Sequence, residues 1–183
     1  MNVRQTPLPG VLLIEPNVYR DDRGYFYEAF SEERYAEICG AVRFVQDNIS
    51  RSVNNTVRGL HYQAGEFAQG KLCKVLFGKV LDVAVDIRFG SPTFGNYFAA
   101  ELSDDNHHQL WIPPGFAHGF SVLSDEAIFH YKCTAYYSKA SERSIRFNDA
   151  DLKIDWNVTD PIVSAKDLVA PLFKDIGRDF SYG

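Results

Sequence analysis

The spacing of apolar residues along the chain is mostly that of β-strands. In residues 79–90, KVLDVAVDIRFG, apolar positions at 81, 83, 85 and 87 alternate with positions 82, 84, 86 and 88, which include three charged residues. This alternation places the two sets on opposite faces of a strand. Further short runs, bounded by Gly, Pro, Ser or Asp, are KLCKVLFG, GNYFAAEL, GFSVLS and AIFHYKCTAYY. Many short strands at this spacing predict a β-sandwich or jelly roll and disfavour a βαβ fold.

Two segments predict helices. In SEERYAEICG, Ser31 is a candidate N-terminal cap, two glutamates suit the positive end of a helix, and Gly40 can end it. A second, shorter helix is predicted at SAKDLVA, where Ser164 and Asp167 have capping-box spacing. The chain shows no internal repeat and no linker, so we expect one domain over residues 1–183.

The composition narrows the function classes. Of the 183 residues, 45% are hydrophobic and the formal net charge is −5, with no basic stripe, so we expect no nucleic-acid partner. The N-terminus MNVRQTPLPG has no apolar core of a signal peptide, and no run is long enough to span a membrane. Three cysteines without a CxxC pair are typical of reduced thiols. The sequence thus predicts a soluble, cytoplasmic domain.

Residues 58–71, RGLHYQAGEFAQGK, concentrate positive charge. Arg58, His61 and Lys71 lie close together, and only Glu66 lies between them as a carboxylate. Such a group predicts an anionic ligand, although a hydrogen-bonded strand histidine and a solvated lysine are the simpler alternatives. In a regular strand Arg58 and His61 face opposite sides, so they share a pocket only if the strand bends at Gly59.

A metal site of the cupin type is not expected. It needs a His-x-His and Glu set on one strand pair and a further histidine after a turn. His118 follows the turn of residues 113–115, but the earlier strand offers only His61 and Gln63. Nucleophile-elbow, P-loop and dinucleotide-binding motifs are also missing, which leaves chemistry by acids and bases.

Several motifs in order resemble one known family. They are FVQDNISRS, RGLHYQ, AQGKL, DVAVDIRFGSPTFG, LWIPPGFAHGF, YKCTAYYS and SAKD. Together they are similar to the dTDP-4-dehydrorhamnose 3,5-epimerases, over nearly the whole chain. The resemblance implies an all-β, cupin-type jelly-roll barrel with a few short peripheral helices. It also implies a homodimer that acts on a dTDP-sugar without a cofactor.

The resemblance implies a role for each of several residues. His61 would be the base, Asp167 its partner, Lys71 the group that stabilises the enolate oxygen at C4, and Tyr131 the acid on the opposite face. The substrate-binding positions that it implies, some of them supplied by a partner subunit, are Arg23, Phe26, Glu28, Gln46, Asn48, Arg58, His118, Tyr136, Glu142 and Lys166. Phe26 and Tyr136 would stack on the nucleotide base, Arg58 would lie near the phosphates or sugar, and the role of His118 is left open.

Elementary chemistry agrees with these roles. C3 and C5 both lie next to the C4 ketone, so each proton leaves as an enolate forms, and a neutral imidazole is a suitable base. Spacing alone also fits Asp167 as a helix cap and Tyr131 as a core tyrosine. Three other functions stay open on sequence: a C3-only epimerase of a related sugar nucleotide, a non-catalytic sugar-binding cupin, and a metal-dependent cupin enzyme.

Overall fold

The computed structural model describes residues 1–183, and strands predominate in it. The strands are β1 (Asn2–Gln5), β2 (Leu12–Glu15), β3 (Tyr19–Asp21), β4 (Gly24–Phe26), β5 (Gln46–Val53), β6 (Thr56–Gln63), β7 (Lys71–Phe77), β8 (Lys79–Asp86), β9 (Tyr97–Ser103), β10 (Gln109–Ile112), β11 (Phe116–Val122), β12 (Glu126–Cys133), β13 (Glu142–Ser144) and β14 (Ile162–Val163). The helices are α1 (Glu32–Cys39) and α2 (Ala165–Leu168), with 3₁₀ turns at Gly65–Phe67 and Phe173–Asp175.

Two main sheets face each other. The first has the strand order β1-β2-β10-β7-β12-β5, and the second has the order β13-β6-β11-β8-β9, with β14 parallel to β6. A 16-residue apolar cluster draws on strands of both sheets and fills the space between them. The small antiparallel pair β3–β4 stands apart from both sheets. This two-sheet architecture confirms the predicted all-β class and its jelly-roll arrangement.

The outer faces of both sheets are covered as well. Residues 145–180 pack over the second sheet and bury Ile145, Phe147 and Trp156 against it. Tyr35 of α1 packs with Trp111 over the first sheet. Because a covered sheet is buried on both faces, β8 is almost entirely buried although its sequence alternates. Its odd-numbered positions face the outer cluster, and its even-numbered positions face the space between the sheets.

Both predicted helices form, with different caps. Ser31 precedes α1 and Gly40 follows it at φ 80°, but the Ser31 side chain makes no capping hydrogen bond. At α2 the Ser164 side chain accepts a hydrogen bond from the Asp167 amide, which is half of the expected capping box. The Asp167 carboxylate is directed elsewhere, as the site shows below. Neither helix has the length and apolar character needed to cross a membrane.

The pairing of β6 with β11 is irregular at Gly59. His118 lies opposite His61 and Phe120 opposite Arg58, so β6 carries one residue more than β11 between these pairs. Gly59 has φ 122°, and a Cβ built on it would lie 2.6 Å from the Gly119 Cα atom. Only glycine fits this contact. The extra residue reverses the alternation, so that Arg58 and His61 face the same side, as the bend predicted at Gly59 requires.

Gly59→Ala is expected to lower the free energy of unfolding by about 1–3 kcal/mol, because the new methyl group adds a backbone clash to an unfavourable φ. Gly24→Ala is the matched control, since Gly24 has φ 130° but no atom within 4 Å of a Cβ built at that position. Urea denaturation of both variants measures the difference. Equal losses for the two variants would show that the Gly59–Gly119 contact contributes nothing beyond the φ angle.

Candidate active site

A cavity of about 690 Å³ opens between the two sheets, beside β5 and β6. Side chains from β6 and β11 on the second sheet, β5, β7 and β12 on the first, and the segment at α2 line it. Eight of the site residues expected from the sequence meet there: Asn48, Arg58, His61, Lys71, His118, Tyr131, Lys166 and Asp167.

His61 and Asp167 form a hydrogen-bonded pair. The His61 Nε2 atom lies 2.6 Å from the Asp167 Oδ1 atom, and the two side chains are 33% and 4% exposed. The other carboxylate oxygen of Asp167 accepts the Gly59 amide at 3.4 Å. The carboxylate therefore stands behind the imidazole, and the partly exposed ring reaches the cavity.

Burial acts to raise the pKa of Asp167, but the hydrogen bond from His61, the interaction between the two charges and the Gly59 amide outweigh it. The pKa of Asp167 consequently lies below its ordinary value. An ionised Asp167 fixes the proton of His61 on Nε2, which leaves Nδ1 as the ring nitrogen that can accept a proton.

Tyr131 and Lys71 occupy the opposite wall. His61 belongs to the second sheet, whereas Tyr131 on β12 and Lys71 on β7 belong to the first. The Lys71 Nζ atom lies 5.7 Å from the centre of the Tyr131 ring. Burial raises the pKa of Tyr131 to about 12, so its hydroxyl stays protonated at neutral pH. The cavity thus has a proton acceptor on one wall and a proton donor on the other.

The cavity carries unpaired positive charge. Neither Arg58 nor Lys71 forms an ion pair with a carboxylate in the structure. Arg58 is held along β5 by its Nε atom, which donates to the Ser52 hydroxyl at 2.9 Å. Two cations without a counter-charge favour an anionic ligand.

A second buried pair lies at the cavity floor. The His118 Nε2 atom is 2.7 Å from the Asp82 Oδ1 atom and 3.7 Å from the Cys73 Sγ atom. These three residues form the one group of potential metal ligands in the structure, with ligand atoms within 4.8 Å of one another. Burial raises the pKa of Cys73 well above its ordinary value, and a protonated thiol is a poor ligand. The absence of a functional metal stays a prediction.

Other expected site residues lie outside the cavity wall. Arg23 and Phe26 line a separate surface pocket at the β3–β4 hairpin, where Phe26 is 70% exposed. Glu28 contacts Arg34 at 3.1 Å. Three further expected residues, which are also absent from the lining, are Gln46, Tyr136 and Glu142.

Two of these residues contact the lining directly. Gln46 donates to the Asn48 side chain, and Glu142 pairs with Lys166 at 2.6 Å. Burial acts to raise the pKa of Glu142, but the hydrogen bond and charge of Lys166 outweigh it and lower that pKa. Tyr136 is 65% exposed.

Sequence reasoning missed several polar residues of the site. Ser50 and Ser52 line the cavity beside Asn48, and the alternation along β5 would have found them. Asp82 is a further polar residue of the site that the sequence analysis did not include, because its alternation with apolar positions in β8 indicates only a strand.

The chain was compared with known proteins. A sequence model of the dTDP-4-dehydrorhamnose 3,5-epimerase family matches residues 5–175. The chain belongs to this family. It is 51% identical over 176 residues to dTDP-4-dehydrorhamnose 3,5-epimerase from Shigella flexneri, covering 96% of this chain and 97% of that protein.

Solved structures agree with this family. A dTDP-6-deoxy-D-glucose-3,5-epimerase from Legionella pneumophila, in complex with dTDP-4-keto-L-rhamnose, superimposes with a TM-score of 0.95 at 50% identity, covering 100% and 98% of the two chains. A dTDP-4-dehydrorhamnose 3,5-epimerase from Elizabethkingia anophelis gives 0.91 at 51% identity, covering 96% and 97%. The predicted family and cupin-type fold are confirmed.

Asp167→Asn tests the charge on the carboxylate. The pKa of Asp167 is lowered in the folded protein, so the ionised carboxylate stabilises the fold above the ordinary pKa of an aspartate, about 4. This contribution is lost as the pH falls through the lowered pKa. The difference in unfolding free energy between wild type and variant should therefore shrink below about pH 4. Urea denaturation across a pH series measures it, with Asp160→Asn at an exposed position as the control. A difference in unfolding free energy that grows as the pH falls would contradict the lowered pKa of Asp167.

Proposed function

We propose that this protein is a dTDP-4-dehydrorhamnose 3,5-epimerase and that residues 1–183 form one catalytic domain. It inverts C3 and C5 of dTDP-4-keto-6-deoxy-D-glucose and yields dTDP-4-keto-L-rhamnose. The observation that carries the proposal is the cavity itself, in which the His61–Asp167 pair and Tyr131 lie on opposite walls. Its free cysteines favour a reducing, cytoplasmic location.

His61 takes the first proton. The C4 ketone makes the hydrogens on C3 and C5 acidic, and the Nδ1 atom of His61 is the ring nitrogen free to accept one. As the imidazolium forms, its charge is stabilised by Asp167 at 2.6 Å. A general base of this kind supplies about 10²–10⁴-fold in rate.

Lys71 stabilises the charge that moves to oxygen. When the C–H bond breaks, its electron pair forms the enolate and negative charge develops on the C4 oxygen. The ammonium group of Lys71 has no carboxylate partner, so its donors are free for that oxygen. A preorganised donor to a developing oxyanion contributes roughly 10²–10³-fold.

Tyr131 returns a proton from the other side. Inversion requires the new C–H bond to form on the face opposite the one that lost its proton. Since burial raises the pKa of Tyr131 to about 12, the phenol is available as a donor at neutral pH. One proton leaves to His61 and one arrives from Tyr131, so the step balances without an oxidant, a reductant or a cofactor. Arg58 is the free cation for the diphosphate.

Deuterium incorporation separates the two walls. In D₂O with dTDP-4-keto-6-deoxyglucose, His61→Ala should lose incorporation at both C3 and C5, because no base remains. Tyr131→Phe should still bind substrate and incorporate deuterium, but inversion should fall by about 10²-fold or more, most clearly at C5. NMR and mass spectrometry of the sugar measure both.

Normal incorporation in His61→Ala would refute the base, and wild-type inversion in Tyr131→Phe would refute the acid. Wild-type incorporation at C3 without C5 would identify a C3-only epimerase. The same assay after EDTA treatment should give unchanged turnover. A loss that Mn²⁺, Fe²⁺ or Zn²⁺ restores would favour a metal-dependent enzyme.

We further propose that the enzyme is a homodimer in which each subunit completes the other's site. Arg23 and Phe26 lie in a surface pocket apart from the cavity, on an exposed hairpin. An exposed phenylalanine beside an arginine suits a stacked base and a phosphate. On a partner subunit, such a hairpin can reach a neighbouring cavity.

Mixing two inactive variants tests this arrangement. His61→Ala removes the base and Arg23→Ala removes the hairpin cation. If the hairpin serves the partner's cavity, mixed dimers contain one intact site, and activity should reappear after co-refolding. A mixture that stays as inactive as its parents, or a monomer by light scattering, would overturn the shared site.

A further inference from the structure

His118 and Asp82 form a histidine–carboxylate pair that the proton-transfer steps leave unused. His118 on β11 lies opposite His61 on β6, and Asp82 comes from the neighbouring strand β8. The side chains are 7% and 0% exposed, and their hydrogen bond is 2.7 Å long. The second Asp82 oxygen, Oδ2, is buried without any partner. Burying a carboxylate costs free energy. A buried carboxylate whose hydrogen-bond partner is a histidine of the cavity therefore calls for an explanation.

Burial favours the neutral form of His118. Burial lowers the pKa of His118 below its ordinary value. The carboxylate of Asp82 acts to raise this pKa, and the electrostatic effects of Lys71 and His61 lower it further. A neutral imidazole carries one proton, on either Nδ1 or Nε2.

The neighbours of Nε2 decide where that proton lies. A carboxylate only accepts hydrogen bonds, so the 2.7 Å contact with Asp82 requires the proton on Nε2. The other neighbour, the Cys73 thiol at 3.7 Å, is a weak donor. The Nδ1 atom has no hydrogen-bond partner in the protein, but it is not fully buried. It therefore opens to the cavity that His118 lines.

We propose that Asp82 is a positioning residue that fixes the tautomer of His118, so that the Nδ1 atom offers a hydrogen-bond acceptor to a hydroxyl group of the sugar. This inference rests on the proposed function and refines it. A ketone oxygen carries no hydrogen and cannot bind a bare ring nitrogen, so the C4 oxygen is left to the ammonium group of Lys71. The ammonium group of Lys71 as donor and the Nδ1 atom of His118 as acceptor thereby fix a single orientation of the sugar ring in the cavity.

The tautomer can be measured on the free enzyme without substrate. Two-bond ¹H–¹⁵N correlation spectra of histidine-labelled protein distinguish a protonated Nε2 from a protonated Nδ1, and His118→Gln assigns the signals among the five histidines. We expect Nε2–H in the wild type and in Cys73→Ala, which removes only the weak neighbour. A wild-type Nδ1–H signal, or an imidazolium at neutral pH, would overturn the inference. Because the deciding signal comes from the wild-type protein, this measurement does not depend on how well a variant folds.

Asp82→Asn should reverse the tautomer. With its oxygen toward Nε2, the new amide leaves a buried NH₂ group unpaired at the Oδ2 position. Turning the NH₂ group toward Nε2 gives this donor a partner and moves the ring proton to Nδ1. We expect kcat/KM to fall about 10–100-fold, as for other residues that orient a functional histidine. Nε2–H retained in this variant would contradict the positioning role.

Deoxy analogues test the hydroxyl. For wild type, kcat/KM for inversion at C5 should fall with either the 2-deoxy or the 3-deoxy analogue of the substrate. In His118→Phe that loss should largely disappear, because no ring nitrogen is left to bind the hydroxyl group. Equal losses in both proteins would refute the hydroxyl contact. Neither result affects deuterium incorporation by the wild type with its full substrate, so failure of this inference is distinguishable from failure of the proposed function.

Discussion

The contact of Gly59 with Gly119 determines the shape of the second sheet at the point where the chemistry is placed. Two strands without side chains at this point approach more closely than any other residue allows, and β6 accommodates one additional residue. The added residue brings Arg58 and His61 to one side of the same strand. The Gly59 amide also reaches Asp167, so the same position helps to hold the carboxylate behind the base. Sheet geometry and proton chemistry are therefore coupled through one backbone contact.

The electrostatic design of the cavity places negative charge behind the histidines and leaves positive charge free in front. Asp167 and Asp82 are almost completely buried, and each accepts a hydrogen bond from a histidine that lines the cavity, His61 and His118 respectively. Arg58 and Lys71, by contrast, have no carboxylate partner. A dianionic nucleotide-sugar thus meets cations at the surface of the cavity, while the carboxylates set the protonation of the rings and do not repel the ligand.

Periodicity was sufficient for five strands and both helices, because each of these patterns is local; the strands are β7, β8, β9, β11 and β12. It could not show that β8 is buried on both faces, since the covering segment lies far away in the sequence. The bend at Gly59 was predictable as the condition for Arg58 and His61 to share a pocket. The pairing of His61 with Asp167 came from the resemblance, because capping-box spacing alone predicts only a helix cap for Asp167. Asp82 is one of three charged residues that alternate with apolar positions in residues 79–90, but its partner His118 lies 36 positions away and no local pattern joins the two.

The wide separation of His61 and Asp167 along the chain determines when this pair can form during synthesis. His61 and Asp167 are 106 positions apart, and Asp167 is held on a single-turn helix close to the C-terminus. A ribosome must therefore synthesise the chain at least through residue 167 before His61 can pair with Asp167. Truncated products of translation would contain most of the barrel sequence, with its cations and apolar strands, but would lack this pair. The fold thereby restricts the His61–Asp167 pair to chains that extend at least through residue 167.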